Sequence, residues 1–162
     1  MPPEEKSAAD KAVYERLKPL IDSADSVFVY VSTEIEVDTR QIMQYCFDKG
    51  IPVATPVSGE TELFFYPVRS FEELAEGRFG IMEPIYRDTE MQFTEKSLCI
   101  VPALCADGNG YRLGYGRGYY DRFLERFSGQ SVIICYSSFR MEVPTEPHDK
   151  RADFTIFDDT LI

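Results

Sequence analysis

Apolar residues recur along this chain in two rhythms, one close to the turn of an α-helix and the other the unbroken run of a strand covered on both faces. Between Glu4 and Ile21, Ala9, Val13, Leu17 and Leu20 or Ile21 fall on one side of a helical wheel, which predicts a surface helix packed on the rest of the protein. Residues 26–31, Ser-Val-Phe-Val-Tyr-Val, are nearly continuous in β-branched and aromatic side chains, the pattern of a central strand. A helix from about Arg40 to Lys49 follows, stopping at Gly50, with Asp38 or Thr39 able to cap it. Residues 51–56 and 62–67 predict two more strands, and the capping-box spacing of Ser70 and Glu73 predicts the start of a short helix. Residues 85–95 are polar and irregular, a surface excursion. Residues 97–101, 131–136 and 154–157 predict the remaining strands. Between the first two of these, Tyr120, Phe123, Leu124 and Phe127 stand at i, i+3, i+4 and i+7, the buried face of a helix. Strand–helix–strand alternation with such short connections implies an α/β fold: a single three-layer αβα domain over residues 1–162, with a mostly parallel central sheet. No internal repeat or interdomain linker interrupts it.

The stretch between the 97–101 strand and the Tyr120 helix carries the chemistry. Gly114, Gly116 and Gly118 lack the Cβ that would hold a ligand off the backbone, and they tolerate positive φ, so successive amides can point into one concavity suited to an anion. The free N–H groups of the following helix face the same spot. Arg112, Arg117 and Arg122 outnumber the one local acid, Asp121, in a chain whose formal net charge is −11. A basic island in so acidic a protein fits an anionic ligand held at one point, and the overall charge argues against general nucleic-acid binding, which needs lysine and arginine against phosphates. A glycine-rich turn with solvated arginines is the other reading of these residues alone.

A second candidate is Glu36, on the loop leaving the carboxyl end of the first strand, where open α/β sheets bind their ligands. Asp38, two residues on, reads either as a helix cap or as a ligand contact. Phe65, Tyr66 and Phe79 could stack on a flat heterocycle, although aromatics in such runs more often belong to the core. Cys46, Cys99, Cys105 and Cys135 lie apart in apolar segments with no CxxC pair, and His148 has no visible tie to any of them, which points to buried free thiols rather than a nucleophile or a metal site. No apolar run approaches the length of a membrane span and the first residues are acidic, so a cytoplasmic protein is expected.

The run Arg112-Leu-Gly-x-Gly-x-Gly-Tyr-Tyr-Asp121, preceded by Val101-Pro102 and Asp107, resembles the signature of the 5-formyltetrahydrofolate cyclo-ligases, also called methenyltetrahydrofolate synthetases. Glu36-Val-Asp-Thr39, Gly80-Ile-Met-Glu-Pro84 and the Pro147-His-Asp149 segment are similar to further motifs of that family. The resemblance implies the ATP- and Mg²⁺-dependent conversion of 5-formyltetrahydrofolate to 5,10-methenyltetrahydrofolate, with reduced folate and ATP as the small-molecule partners. It implies ATP contacts at Arg112, Gly114, Tyr115, Gly116, Arg117, Gly118, Tyr119 and Tyr120, with Arg117 and Tyr119 catalytic. It implies substrate contacts at Val31, Glu36, Phe65, Tyr115, Arg117 and Tyr119, and Mg²⁺ on Asp121 and Asp149. Tyr119 is the better candidate than Tyr120 for substrate contact, because Tyr120 belongs to the core-facing stripe.

The front of the chain departs from the family pattern, which has an earlier helix whose Lys and Arg reach the nucleotide. Two charged hydrogen bonds fewer would weaken nucleotide binding by about 10²–10⁴-fold. Two other readings therefore stand beside the enzyme: a folate- and nucleotide-binding relative that does not turn over, and a sugar-phosphate enzyme on a similar scaffold.

Overall fold

The computed structural model describes residues 1–162. Helix α1, Pro3–Asp22, opens on a proline, whose missing N–H would have had no intrahelical partner in the first turn. Its buried stripe is Asp10, Val13, Tyr14, Leu17 and Ile21. Strand β1, Ser26–Val29, is buried throughout, and helix α2, Arg40–Lys49, buries Ile42, Met43 and Cys46 before Gly50 ends it at φ 71°. Strands β2, Val53–Ser58, and β3, Leu63–Val68, follow, then the small strands β4, Leu74–Glu76, and β5, Met82–Pro84. Strand β6, Ser97–Val101, leads into a short ribbon of β7, Cys105–Ala106, and β8, Arg112–Leu113. Helix α3, Tyr119–Arg126, and strands β9, Gln130–Cys135, β10, Phe154–Phe157, and β11, Thr160–Leu161, complete the chain.

The main sheet has seven strands in the order β11-β10-β9-β6-β1-β2-β3. Its inner pairs are parallel, and the outermost pairs, β2 with β3 and β10 with β11, are antiparallel. The expected mostly parallel sheet is therefore present, with an exception at β3. The connection from Ser58 to Leu63 is too short for a crossover and closes a hairpin instead. Alternate residues of β1 feed opposite faces. Val27 and Val29 join the core beneath α1 and α2, while Phe28 joins the core beneath α3. Phe28 meets the rings of Phe65, Phe93, Phe123 and Phe127 there, each such pair adding about 0.5–1.5 kcal/mol to the burial itself. Phe93 enters this core from the 85–95 segment, which thus covers the sheet instead of only skirting it.

The helix expected at residue 70 is a single 3₁₀ turn, Phe71–Glu73. The Glu73 carboxylate reaches back as a capping box would, but to the Arg69 N–H at 2.8 Å, and the chain then extends into β4. All four cysteines are free and buried. Burial pushes the Cys46 and Cys135 thiols up to about 12 and Cys99 higher, which leaves them protonated and poor nucleophiles. No helix is long and apolar enough to cross a membrane.

Candidate active site

β1 continues through α2 to β2 on one side of the sheet, whereas β6, β9 and β10 extend the other side. Between β1 and β6 the strand order reverses, and the loops leaving the carboxyl ends of those two strands flank the crevice that such a switch point opens. One of these loops carries Glu36. The other is the glycine segment.

The Asp107 carboxylate accepts from the Asn109 and Tyr111 N–H groups at 2.8 and 3.1 Å, and this turn folds β7 back onto β8. Arg112 in β8 is half-buried. It donates to the Pro102 carbonyl at 3.1 Å, and its guanidinium lies 5.3 Å from the centre of the Tyr120 ring. Burial lowers the Arg112 pKa and the nearby Asp121 opposes the shift; a guanidinium starts so high that it stays charged. A Cβ on Gly114 would meet the guanidinium end of the Arg112 side chain, which would have to shift. Gly116 and Gly118 adopt φ of 84° and 68°, in the left-handed region, and Gly118 hands the chain to α3. The Tyr119, Tyr120 and Asp121 N–H groups are the unpaired donors of the first helical turn, and they lie at the end of the loop. Arg117 is exposed between the last two glycines.

Three side chains on one face of α3 hold the helix and its loop in place. The Tyr119 hydroxyl donates to the Gly59 carbonyl at 2.8 Å, Arg122 Nε to that of Thr61 at 2.6 Å, and Arg126 Nη2 to that of Leu63 at 3.0 Å. Arg122 Nη2 also donates to the Arg117 carbonyl at 2.7 Å, inside the glycine loop. Tyr119→Phe should therefore lower stability by about 0.5–1.5 kcal/mol, read as an earlier thermal midpoint, since a half-buried hydroxyl loses a neutral hydrogen bond. The sequence favours Tyr119 over Tyr120 for touching a ligand. The structure commits the Tyr119 hydroxyl to the β2–β3 turn, while the half-buried Tyr120 hydroxyl has no hydrogen-bond partner in the protein, and burial raises its pKa well above the usual phenol value.

Glu36 faces the glycine loop. Its Oε1 accepts from the Thr33 N–H and hydroxyl at 2.9 and 3.0 Å, and its Oε2 accepts from the Tyr115 hydroxyl at 3.3 Å. Burial and then the Glu36 charge push the Tyr115 phenol up to about 12, so it remains a donor at neutral pH. This contact spans the crevice, joining the two loops of the switch point. Asp38 stands one residue before the Thr39 N-cap; its Oδ1 accepts from the Arg40 N–H at 3.1 Å at the start of α2, and the residue also lines the adjoining cavity. Thr39 is fully buried, its hydroxyl donating to the Tyr30 carbonyl at 2.7 Å.

Val31 is buried at the end of the β1 segment and lines the adjoining cavity. Phe65 is 2% exposed in the aromatic core and reaches the site only through the edge of the Tyr120 ring. Asp121 and Asp149 come to one neighbourhood. The Lys150 N–H donates to Asp121 Oδ1 at 3.3 Å, and both carboxylates act on the charge of Arg112. Asp149 Oδ2 accepts from the Glu146 N–H at 2.7 Å. Asp121 Oδ2 has no partner and Asp149 Oδ1 stands 3.6 Å from His148 Nε2, so each acid retains an oxygen for a cation. No group of three or more His, Cys, Asp or Glu side chains converges on a metal position. Two carboxylates nevertheless suit Mg²⁺, which ordinarily takes one or two together with phosphate oxygens and water.

A cavity of about 820 Å³ lies between α1, the β1–α2 loop and the β4–β5 hairpin. It includes Val31, Ile35, Asp38, Arg40, Phe79 and Met82 but no residue of the glycine loop. The β1–α2 loop is the wall it shares with Glu36. Phe79, one of the aromatics whose pattern suggested the core, is 83% exposed at the rim, with φ 57°. The sequence reading did not single out Asp10, Tyr30, Tyr136 or Arg126, and it counted Arg122 in the basic island, whereas the structure commits that side chain to the Thr61 and Arg117 carbonyls. For Asp10 a signal existed, because a lone acid stands where the apolar stripe of α1 continues towards its N-terminus.

The model of the 5-formyltetrahydrofolate cyclo-ligase family matches residues 1–157. A 5-formyltetrahydrofolate cyclo-ligase of Haemophilus influenzae is 27% identical over 152 residues, covering 87% of this chain and 81% of that protein. The solved structure of Aquifex aeolicus 5,10-methenyltetrahydrofolate synthetase superposes with a TM-score of 0.85 at 29% identity, covering 99% of this chain and 84% of that one. The Mycoplasma pneumoniae synthetase, at 20% identity and a TM-score of 0.76 over 96% of this chain and 88% of that one, shares the fold.

Proposed function

The chain belongs to the 5-formyltetrahydrofolate cyclo-ligase family, and from that premise we propose that it is an ATP-dependent ligase converting 5-formyltetrahydrofolate to 5,10-methenyltetrahydrofolate at the β1/β6 switch point. The observation that carries this reading is the Tyr115–Glu36 hydrogen bond, because it joins an anion-binding loop to an acid able to accept from a folate ring.

In the proposed reaction the formyl oxygen attacks the γ-phosphorus of ATP and ADP departs. N10 then closes onto the activated formyl carbon and the carbon–oxygen bond breaks. Phosphate leaves with the former formyl oxygen, and the N10 proton passes to that phosphate. Phosphoryl transfer of this kind requires positioning and charge neutralisation more than a protein nucleophile, consistent with cysteines that are all buried. The Gly114–Gly118 backbone and the first amides of α3 would cradle the triphosphate, with Arg117 and Arg112 facing its oxygens. Glu36 would hold the folate so that the formyl group points at the γ-phosphate, and the 820 Å³ cavity offers room for the remainder of that molecule. Asp121 and Asp149 would hold Mg²⁺, which when bound neutralises charge on the phosphate oxygens.

The test uses the purified chain with 5-formyltetrahydrofolate, Mg²⁺ and ATP. The reading expects the methenyl chromophore to appear only with ATP, one ADP being released per turnover. If no ATP-dependent signal appears at high enzyme concentration, the chain is not a cyclo-ligase.

A further inference from the structure

Asp10 is an acid where α1 presents its apolar face, and it is 9% exposed. A carboxylate so placed must be fully paired, and this one is. Oδ2 receives Lys6 Nζ at 2.9 Å; Oδ1 receives the Asp38 N–H at 3.2 Å and the Tyr136 hydroxyl at 2.5 Å. The Lys6 contact stays within α1, whereas the two on Oδ1 meet at one short piece of the β1–α2 loop. The Tyr136 hydroxyl also stands 3.2 Å from the Glu36 carbonyl, and the Tyr30 hydroxyl donates to the Val37 carbonyl at 3.2 Å. Three successive residues are thus held through their backbone by side chains from α1, from the strand β1 segment and from the end of β9.

We infer that Asp10 is a positioning residue for Glu36. Through the Asp38 N–H and the Tyr136 hydroxyl it fixes the loop so that the Glu36 carboxylate faces the glycine segment. The inference rests on the folate role proposed above for Glu36. General stabilisation does not explain the arrangement as well, because Val13, Leu17 and Ile21 already anchor α1 by apolar burial, whereas the Asp10 oxygens bond the segment flanking Glu36. Burial first, and then the bond to Asp10, raise the Tyr136 phenol well above its usual range, so that it serves as a constant donor.

Full-length Asp10→Ala, Asp10→Asn and Tyr136→Phe test this with two readings. In the first, amide hydrogen exchange over residues 33–39 accelerates about tenfold or more in Asp10→Ala, with strand protection unchanged. In the second, the KM for 5-formyltetrahydrofolate rises about tenfold in Asp10→Ala and less in Asp10→Asn, while the KM for ATP stays within about twofold. Should Asp10→Ala fail to fold, Asp10→Asn and Tyr136→Phe carry both readings, since each leaves part of the set intact. Unchanged exchange in the loop, or a folate KM equal to wild type beside a lowered melting temperature, overturns the inference. Failure of the cyclo-ligase reading itself would be seen in the wild type, and the exchange measurement would still decide whether Asp10 holds the loop.

Discussion

Arg117→Ala is expected to raise the KM for ATP by about 10- to 150-fold, the equivalent of one charge-assisted hydrogen bond of about 1.5–3 kcal/mol. The thermal midpoint should move by no more than about 2 °C, because an exposed side chain outside the core changes stability by only about 0.5 kcal/mol. The contrast follows from the structure around the residue. The Arg117 carbonyl is held by Arg122, but its guanidinium extends from the loop with no protein partner, while neighbouring Arg112 is committed to Pro102 and Tyr120. The Arg117 guanidinium is wholly free to meet a phosphate, whereas Arg112 has one nitrogen already bonded to the Pro102 carbonyl and only the rest of its guanidinium to offer. Titration calorimetry with an ATP analogue and a melting curve on the same preparation check both halves. A collapsed melting temperature with unchanged nucleotide affinity would make Arg117 structural.

Glu36→Gln is expected to act on the other substrate. The amide keeps the size of the side chain but removes its charge; its carbonyl oxygen can still accept from Thr33, but the NH₂ group that replaces the other oxygen cannot accept from Tyr115. The KM for 5-formyltetrahydrofolate should rise by about 10- to 100-fold, with the KM for ATP held within about threefold, since only hydrogen bonds to the folate and the link to Tyr115 are lost. Steady-state kinetics in which each substrate is varied in turn separate the two effects. A rise confined to ATP would assign Glu36 to the nucleotide side of the crevice.

Much of the fold was legible because the inner strands are buried on both faces and therefore read as continuous apolar runs, as in residues 26–29 and 131–135. What was not legible depends on partners distant in sequence. The antiparallel turn of β3 follows from a connection too short to cross over, and local pattern did not distinguish it from a parallel neighbour. Ser70 and Glu73 have helix-start spacing, but pairing between β4 and β5 claims the next residues after one turn. At the site, the glycine loop was visible because three glycines and three arginines lie within a few positions. Their division of labour was not: a Cβ at Gly114 would meet only the movable end of the Arg112 side chain, whereas Gly116 and Gly118 are required by positive φ. Similarly, Tyr119 and Tyr120 are adjacent in sequence, yet one hydroxyl is fastened to Gly59 and the other is free. Phe65 and Phe79 have the same aromatic character, but one lies within the core and the other at the rim of the cavity.

The claim beneath all of this is that the backbone from Gly114 to Gly118 grips the triphosphate at the N-terminus of α3, across from Glu36. A crystal structure with a non-hydrolysable ATP analogue, Mg²⁺ and 5-formyltetrahydrofolate tests it most directly. The account predicts phosphate oxygens within hydrogen-bond distance of the loop amides and the Arg117 guanidinium, with the folate against Glu36. Nucleotide bound elsewhere, with the glycine loop unligated, would contradict it.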